Sequence, residues 1–125
     1  MITELTLAEY HALIAADAAP RLPRKASPEH GIQCLILEYL ALRGIPAWRI
    51  NAGMVKTEAG GMVRLAPAGF SDIIGIYNGR FLAIEVKVPG KRPTAAQQAF
   101  LDAVAAAGGV AFCATSIDDV ARRLQ

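Results

Sequence analysis

Three charged residues, Asp72, Glu85 and Lys87, lie in two segments that are otherwise rich in apolar residues. Asn78-Gly79 stands between the two acids, and this dipeptide is the strongest short signal for a two-residue hairpin turn. Such a turn places Asp72 directly opposite Glu85, where Cβ atoms are about 4.5–5.5 Å apart and like charges repel. Buried carboxylates at that spacing either share a proton or bind a cation.

The neighbours of the two acids favour burial. Strand alternation puts Ile74 and Ile76 on the face of Asp72, and Phe81 and Ala83 on the face of Glu85. Apolar residues also occupy the opposite face, which carries Ile73, Leu82, Ile84, Val86 and Val88. We therefore expect a sheet that is covered on both faces.

Carboxylate ligands alone suit a hard cation, so Mg²⁺ or Mn²⁺ is the expected cofactor. Lys87 lies two residues beyond Glu85 on the same face, where an ammonium group can orient or polarise a metal-bound water or stabilise charge growing on a phosphate. The alternative is that Glu85-x-Lys87 is the solvent side of an amphipathic strand. That short pattern is common and specifies nothing alone, but its apolar neighbours weigh against this alternative.

The elements around these residues predict an α/β fold, with a mixed sheet of about four strands flanked by helices in the order αβββαβα. We assign residues 1–26 to an N-terminal helix and a basic, proline-rich arm, and residues 27–125 to one domain. Helices are predicted over 3–18, from Ser27 to about Arg43, from Thr94 to about Ala107 and over 116–124, and strands over 47–51, 72–77, 80–88 and 110–114, with a hairpin over 54–65. Capping boxes are predicted at Thr94–Gln97 and Ser116–Asp119.

Glu29 precedes Ile32, Ile36 and Leu40 by three, seven and eleven positions. These spacings place it at the mouth of the buried stripe of its helix. The alternative is a helix-terminal acid favoured only by the macrodipole.

Composition limits the function classes. The chain has 125 residues, 54% hydrophobic and 19% charged, which allows one packed domain and excludes global disorder. No apolar run is long enough to span a bilayer, and the N-terminus is a poor secretory signal. Cys34 and Cys113 are predicted to be buried free thiols, which favours a reducing, cytoplasmic location. The net charge of +2 permits nucleic-acid binding without arguing for it.

Gly69-x-x-Asp72, then Glu85-Val86-Lys87 after a hairpin, then Gln97 in the next helix, with Glu29 opening the preceding helix, resembles the VRR-NUC family of the PD-(D/E)XK nuclease superfamily. The resemblance covers about residues 28–119 and implies a restriction-endonuclease-like core. Ser71 stands where the family usually has proline.

The resemblance implies that Asp72, Glu85 and the Val86 carbonyl bind the metal, that Lys87 serves the nucleophilic water, and that Glu29 completes the acidic site. It also implies that Gln97 lines this site, although Gln97 could equally do no more than close its capping box. The implied activity is hydrolysis of DNA phosphodiesters, often in branched or structured DNA such as Holliday junctions. The implied setting is a homodimer in bacterial or phage replication and repair.

Five basic residues flank the strands that carry the acids, where a phosphate backbone would lie: Arg49, Lys56, Arg64, Lys91 and Arg92. Each alone could be a solvated surface charge. No recognition-helix or zinc-finger pattern occurs, so we expect recognition of DNA shape or junctions and not of base sequence.

Two other functions remain open. A non-catalytic DNA-binding module on the same fold would bind DNA with strong salt dependence and never cut it. A structural or assembly protein would use the 54–65 hairpin for protein contact, and its melting temperature would not respond to chelators or metals.

Overall fold

The computed structural model describes residues 6–17, 27–50, 54–64 and 66–125. These residues form four helices, α1 (Leu7–Asp17), α2 (Pro28–Leu42), α3 (Ala95–Ala106) and α4 (Ile117–Arg123), and six strands, β1 (Ala47–Arg49), β2 (Met54–Lys56), β3 (Met62–Arg64), β4 (Ile73–Tyr77), β5 (Arg80–Val86) and β6 (Val110–Ala114). Four parts of the prediction lie outside the described residues: residues 3–5 and 18 of the N-terminal helix, the arm as far as Ala26, Asn51 of the first strand and Leu65 of the hairpin.

Four strands form one mixed sheet in the order β1-β4-β5-β6. The β1–β4 and β4–β5 pairs are antiparallel, and β5 pairs with β6 in parallel through the α3 crossover. Strands β2 and β3 form a separate antiparallel hairpin between β1 and β4. Without that hairpin, the elements from α2 onward follow the predicted αβββαβα order, and the α/β fold class is confirmed.

Local signals set the helix ends. The Ser27 hydroxyl accepts a hydrogen bond from the His30 amide (3.2 Å) at the start of α2, and Gly44 follows its end with a φ of +71°. Thr94 and Gln97 form the predicted capping box of α3. These residues supply partners for the amides that the first turn of a helix leaves free.

The predicted capping box of α4 is only half correct. The Ser116 hydroxyl accepts a hydrogen bond from the Asp119 amide (3.2 Å) as expected. The Asp119 carboxylate, however, accepts from the amide and hydroxyl of Thr115 instead of reaching the Ser116 amide. Thr115 precedes the cap and offers two donors to one carboxylate oxygen, which explains this choice.

The β4–β5 turn follows the prediction. Asn78 and Gly79 have positive φ values of 49° and 75°, which is the conformation of a type I′ turn. Tyr77 pairs with Arg80, and the ladder continues in this register to Ile73 and Ile84. One further step of the same register places Asp72 opposite Glu85.

The apolar core lies on one face of the sheet. Ile84 and Val86 of β5 are fully buried there, against residues of α2 and α4. This cluster also includes Ile36, Leu40, Ile73, Leu82, Phe112 and Leu124.

The other face is covered only in part. Ala83 and Glu85 are buried, whereas Ile76 and Phe81, a facing pair beside the turn, are 51% and 43% exposed. Helix α3 contacts β5 and β6. The prediction of two covered faces is therefore right at the acidic end of the hairpin and wrong at its turn.

The Trp48 indole of β1 donates a hydrogen bond to the Tyr10 hydroxyl (2.7 Å), which links α1 to the edge of the sheet. Within the described ranges, no helix has the length and apolar character needed to cross a membrane.

Both cysteines are free, but Cys34 is exposed and Cys113 only half-buried, so the prediction that they are buried thiols is wrong.

Candidate functional site

Three carboxylates from separate elements converge at one end of the sheet. Glu29, Asp72 and Glu85 each offer an oxygen atom, and these atoms lie within 4.8 Å of one another. Glu85 is 1% exposed, whereas the other two acids are half-buried. An oxygen cluster of this kind matches the ligand preference of hard divalent cations.

Asp72 is held by hydrogen bonds to strands on both sides. Its backbone carbonyl accepts from the Ile50 amide (2.8 Å), and its Oδ2 accepts from the Val86 amide (2.8 Å). The carboxylate thus takes the place of a backbone acceptor in the ladder and is fixed beside Glu85. The predicted approach of the two acids is confirmed.

Glu29 reaches the same place from α2. It lies in the first turn of that helix, next to Pro28 and directly after the Ser27 cap. The buried stripe of α2 packs on the sheet through Ile36 and Leu40. This packing carries the N-terminal turn to the end of β5, so the predicted position of Glu29 at the mouth of the stripe is confirmed.

Burial and the charge of Asp72 raise the pKa of the Glu85 carboxyl from 4.5 to about 8. Lys87 opposes this rise, with its Nζ atom 3.7 Å from Glu85 Oε1. One nearby ammonium group thus faces three carboxylates. The site favours either a proton on Glu85 or a second positive charge among the acids.

Two buried side-chain oxygen atoms lack hydrogen-bond partners among the described residues: Glu85 Oε2, within the cluster, and Gln33 Oε1 of α2. Gln33 is 7% exposed and follows Glu29 by four residues, so the two side chains share one face of α2. Long helical side chains lean toward the helix N-terminus, which directs this amide toward Glu29. Unpaired buried acceptors are costly and indicate a missing donor or cation.

Gln33 is a candidate residue of the site that the sequence interpretation missed. Its signal is a polar side chain between Glu29 and Ile36, at positions that share their helical face. A glutamine within a buried stripe needs a partner, and this requirement could have identified it.

The Val86 carbonyl faces the acids. The Val86 amide points to Asp72, while the next amide, of Lys87, points to the Ala114 carbonyl of β6 (3.1 Å). Because the amide and carbonyl of one antiparallel strand residue face the same neighbour, the Val86 carbonyl is directed to the side of Asp72.

Gln97 has a structural task. Its Oε1 atom accepts a hydrogen bond from the Thr94 amide (2.9 Å), so its side chain closes the capping box of α3. The segment before Asp72 packs against this helix start, since a Cβ atom at Gly69 would lie 2.4 Å from the Ala96 carbonyl oxygen. Gln97 thus helps to position the loop that precedes Asp72, and its role in lining the site stays a prediction.

The predicted DNA-contacting residues are more dispersed. Lys91 and Arg92 are exposed in the loop that follows Lys87, and Lys56 is exposed on the β2–β3 hairpin. Arg49 is also exposed, but it pairs with Ile73 and so belongs to the core side of the sheet, not to the side of Asp72. The Arg64 side chain lies outside the described part of the chain. Contacts of all five with phosphates stay predictions.

Cys113 of β6 is the parallel neighbour of Glu85. Burial, and then the charge of Glu85, raise the pKa of its thiol. The thiol is therefore kept neutral beside the acids, which leaves the oxygen atoms as the ligands for a cation.

No model of a known protein family matches this chain, and no curated protein matches it.

Proposed function

We propose that this protein is a metal-dependent deoxyribonuclease that hydrolyses DNA phosphodiester bonds, and that it is a member of the VRR-NUC family of PD-(D/E)XK nucleases. The observation that carries the proposal is the convergence of Glu29, Asp72 and Glu85 within 4.8 Å of one another. Lys87 beside Glu85 supplies the fourth element expected of such a site.

The burial of Glu85 weighs against the main alternative. A strand that presented Glu85 and Lys87 to solvent would leave both side chains exposed. Instead, Glu85 is 1% exposed and Lys87 is half-buried. Burying a carboxylate beside two others is unfavourable unless a charge partner compensates it. Selection for stability alone does not account for this arrangement.

The donor set fits Mg²⁺ or Mn²⁺. Asp72, Glu85 and the Val86 carbonyl would hold the ion, with Glu29 completing the acidic site. When bound, such an ion polarises a phosphoryl oxygen and lowers the pKa of a coordinated water. Glu85 Oε2, which has no hydrogen-bond partner among the described residues, is an acceptor that such a cation would satisfy.

The chain's own residues would perform the remaining tasks. The Lys87 ammonium lies on the face of the acids, where it can orient the attacking water and offset the charge that develops on the phosphate. Lys91 and Arg92, exposed in the adjacent loop, would hold flanking phosphates. Gln33, near Glu29, would accept a hydrogen bond from a water in the site.

Partners and location follow from this proposal. The substrate is DNA, and we propose branched or structured DNA because no base-reading element is present among the described residues. Two copies would act as a homodimer inside the cell, since cutting two strands needs two sites. Sedimentation at micromolar concentration tests the dimer, and a monomer there would contradict it.

Cleavage assays test the activity. Labelled duplex, flapped and four-way-junction DNA are incubated with the protein and Mg²⁺ or Mn²⁺. Asp72→Asn keeps an oxygen acceptor for the Val86 amide but removes the charge, and Lys87→Met keeps length without the ammonium group. Each should slow cutting by roughly 100-fold or more.

The matched control is Asp118→Asn, which alters an exposed acid in the first turn of α4. It should cut like the wild type. The proposal is wrong if none of the substrates is cut with either metal, or if Asp72→Asn and Lys87→Met cut as fast as this control. Binding without cutting would favour the non-catalytic DNA-binding module.

A further inference from the structure

The β2–β3 hairpin carries large apolar side chains in solvent. Met62 is 57% exposed and Val63 is 50% exposed. A two-stranded hairpin is marginally stable by itself in water, and it gains little from leaving such residues unburied. These exposed side chains indicate a surface that is completed by a partner.

The hairpin is two-sided. Lys56 pairs with Met62, and Val55 pairs with Val63, so the adjacent residues Met62 and Val63 point to opposite faces. The tip is a tight turn in which the Thr57 amide donates to the Gly61 carbonyl (2.8 Å). The hairpin is therefore a narrow blade in which, among the described side chains, Met62 is exposed on one face and Val63 on the other.

Connectivity ties the blade to the acidic site. Ile50, the last described residue before the hairpin, donates its amide to the Asp72 carbonyl (2.8 Å). Met54 follows Ile50 by four residues, which span at most roughly 14 Å. The strand from Met54 to the turn adds roughly 17 Å. With about 5 Å more between Ile50 and Asp72 on neighbouring strands, the tip lies within roughly 36 Å of Asp72, which is about one turn of a DNA duplex.

The charge beside Met62 suits a nucleotide. Lys56 is exposed and lies directly opposite Met62 on one face of the blade. An ammonium group next to an apolar side chain can contact a phosphate and a base of the same strand. A protein partner would need one apolar face, whereas this blade carries apolar groups on both.

We propose that the β2–β3 hairpin is a wedge that recognises the branch point of DNA, inserting Met62 and Val63 between two arms while Lys56 contacts a neighbouring phosphate. This inference rests on the proposed function, because DNA bound at the acids brings its branch point to the hairpin. A continuous duplex has no gap for such a wedge, whereas the arms at a branch expose the faces of their terminal base pairs. The wedge thus gives the preference for branched DNA, already part of the proposed function, a structural cause.

Binding in EDTA tests the wedge separately from cutting. Fluorescence anisotropy compares a labelled four-way junction with a linear duplex of the same length. The Met62→Ser/Val63→Ser double variant should bind the junction about tenfold more weakly and the duplex within twofold of the wild type, because contacts to unstacked bases are lost. Val63→Thr, which retains the β-branched shape, should show a smaller loss in the same direction and controls for folding.

Two other variants define the contact. Leu42→Ser removes an exposed apolar residue at the end of α2 and should leave the junction preference unchanged. Lys56→Gln should weaken binding to both DNAs. The slope of log K against log salt concentration should decrease by about 1, as expected for the loss of one phosphate contact.

The wedge is refuted if the double variant keeps the wild-type preference for the junction, or if the wild type has no such preference. A double variant that loses a dimer in sedimentation but keeps the junction preference identifies a protein contact instead. Junction binding that needs Met62 and Val63, by a protein that never cuts DNA, would support the wedge and refute only the nuclease.

Discussion

The two ends of the β4–β5 hairpin reverse the usual distribution of residues between core and surface. At the end away from the turn, Asp72 and Glu85 lie in a protected cluster of carboxylates. At the turn, on the same face of the same strands, Ile76 and Phe81 are largely exposed. Apolar groups could have occupied the buried end at lower cost. The difference is consistent with the proposed nuclease, in which the acidic end binds a metal and the turn end sets the register.

Removing the charge of Glu85 should give the largest change in stability at the acidic end. Its raised pKa, about 8, means that the folded chain holds a proton that the unfolded chain releases near 4.5. Stability without metal is therefore full below about pH 4.5 and falls as the pH rises toward 8. We expect the free energy of unfolding to fall by about 5 kcal/mol at most across this range.

Urea unfolding in EDTA at several pH values measures this loss. Glu85→Gln should abolish most of it and be more stable than the wild type at pH 8, and Mg²⁺ or Mn²⁺ should restore wild-type stability there. Glu58→Gln, an exposed acid on the hairpin, serves as the control. The raised pKa of Glu85 would be contradicted if the stability of the wild type rose between pH 5 and 8 and Glu85→Gln behaved identically.

Gln33→Met should give the next largest effect. Methionine has a similar shape and removes a buried oxygen that has no hydrogen-bond partner in the described part of the chain, so metal-free stability should stay equal or rise. The metal concentration for half-maximal cutting should increase about tenfold, since groups that support metal ligands commonly contribute this much. Gln98→Met, an exposed residue of α3, is the control. An unchanged metal concentration for half-maximal cutting would show that Gln33 does not support metal binding.

Gly79→Ala should give the smallest effect and should act at the turn end. Alanine at a φ of 75° costs roughly 1 kcal/mol. Gly31→Ala in α2, where nothing lies within 4 Å of the added Cβ atom, should instead stabilise the chain by roughly 0.5–1 kcal/mol. Thermal unfolding distinguishes them. Equal effects of the two substitutions on the melting temperature would show that the positive φ of Gly79 does not contribute to stability.

Several parts of the site could be predicted from short-range rules. Asn78-Gly79 predicted the turn and with it the approach of Asp72 to Glu85, because few residues tolerate the positive φ values that the turn requires. Ser27 and Pro28 predicted the start of α2 and so the place of Glu29 in its first turn.

Other parts depended on packing between distant elements. Whether a strand face is buried depends on which helix covers it, and α3 contacts β5 and β6 without burying Ile76 and Phe81. The exposed position of Cys34 was missed for the same reason. Gln33 was overlooked because its significance lies in a buried, unpaired oxygen, which becomes visible only when the neighbours are in place.

The sequence alone determined the register of the hairpin and the starts of α2 and α3, because dihedral preferences and capping hydrogen bonds act over a few residues. Only the tertiary structure decided that Glu29 joins the acids, that Gln33 lies buried one helical turn after it, and that one end of a sheet face is closed while the other is open. Those outcomes depend on contacts between segments far apart in the chain, whose energies no local pattern contains.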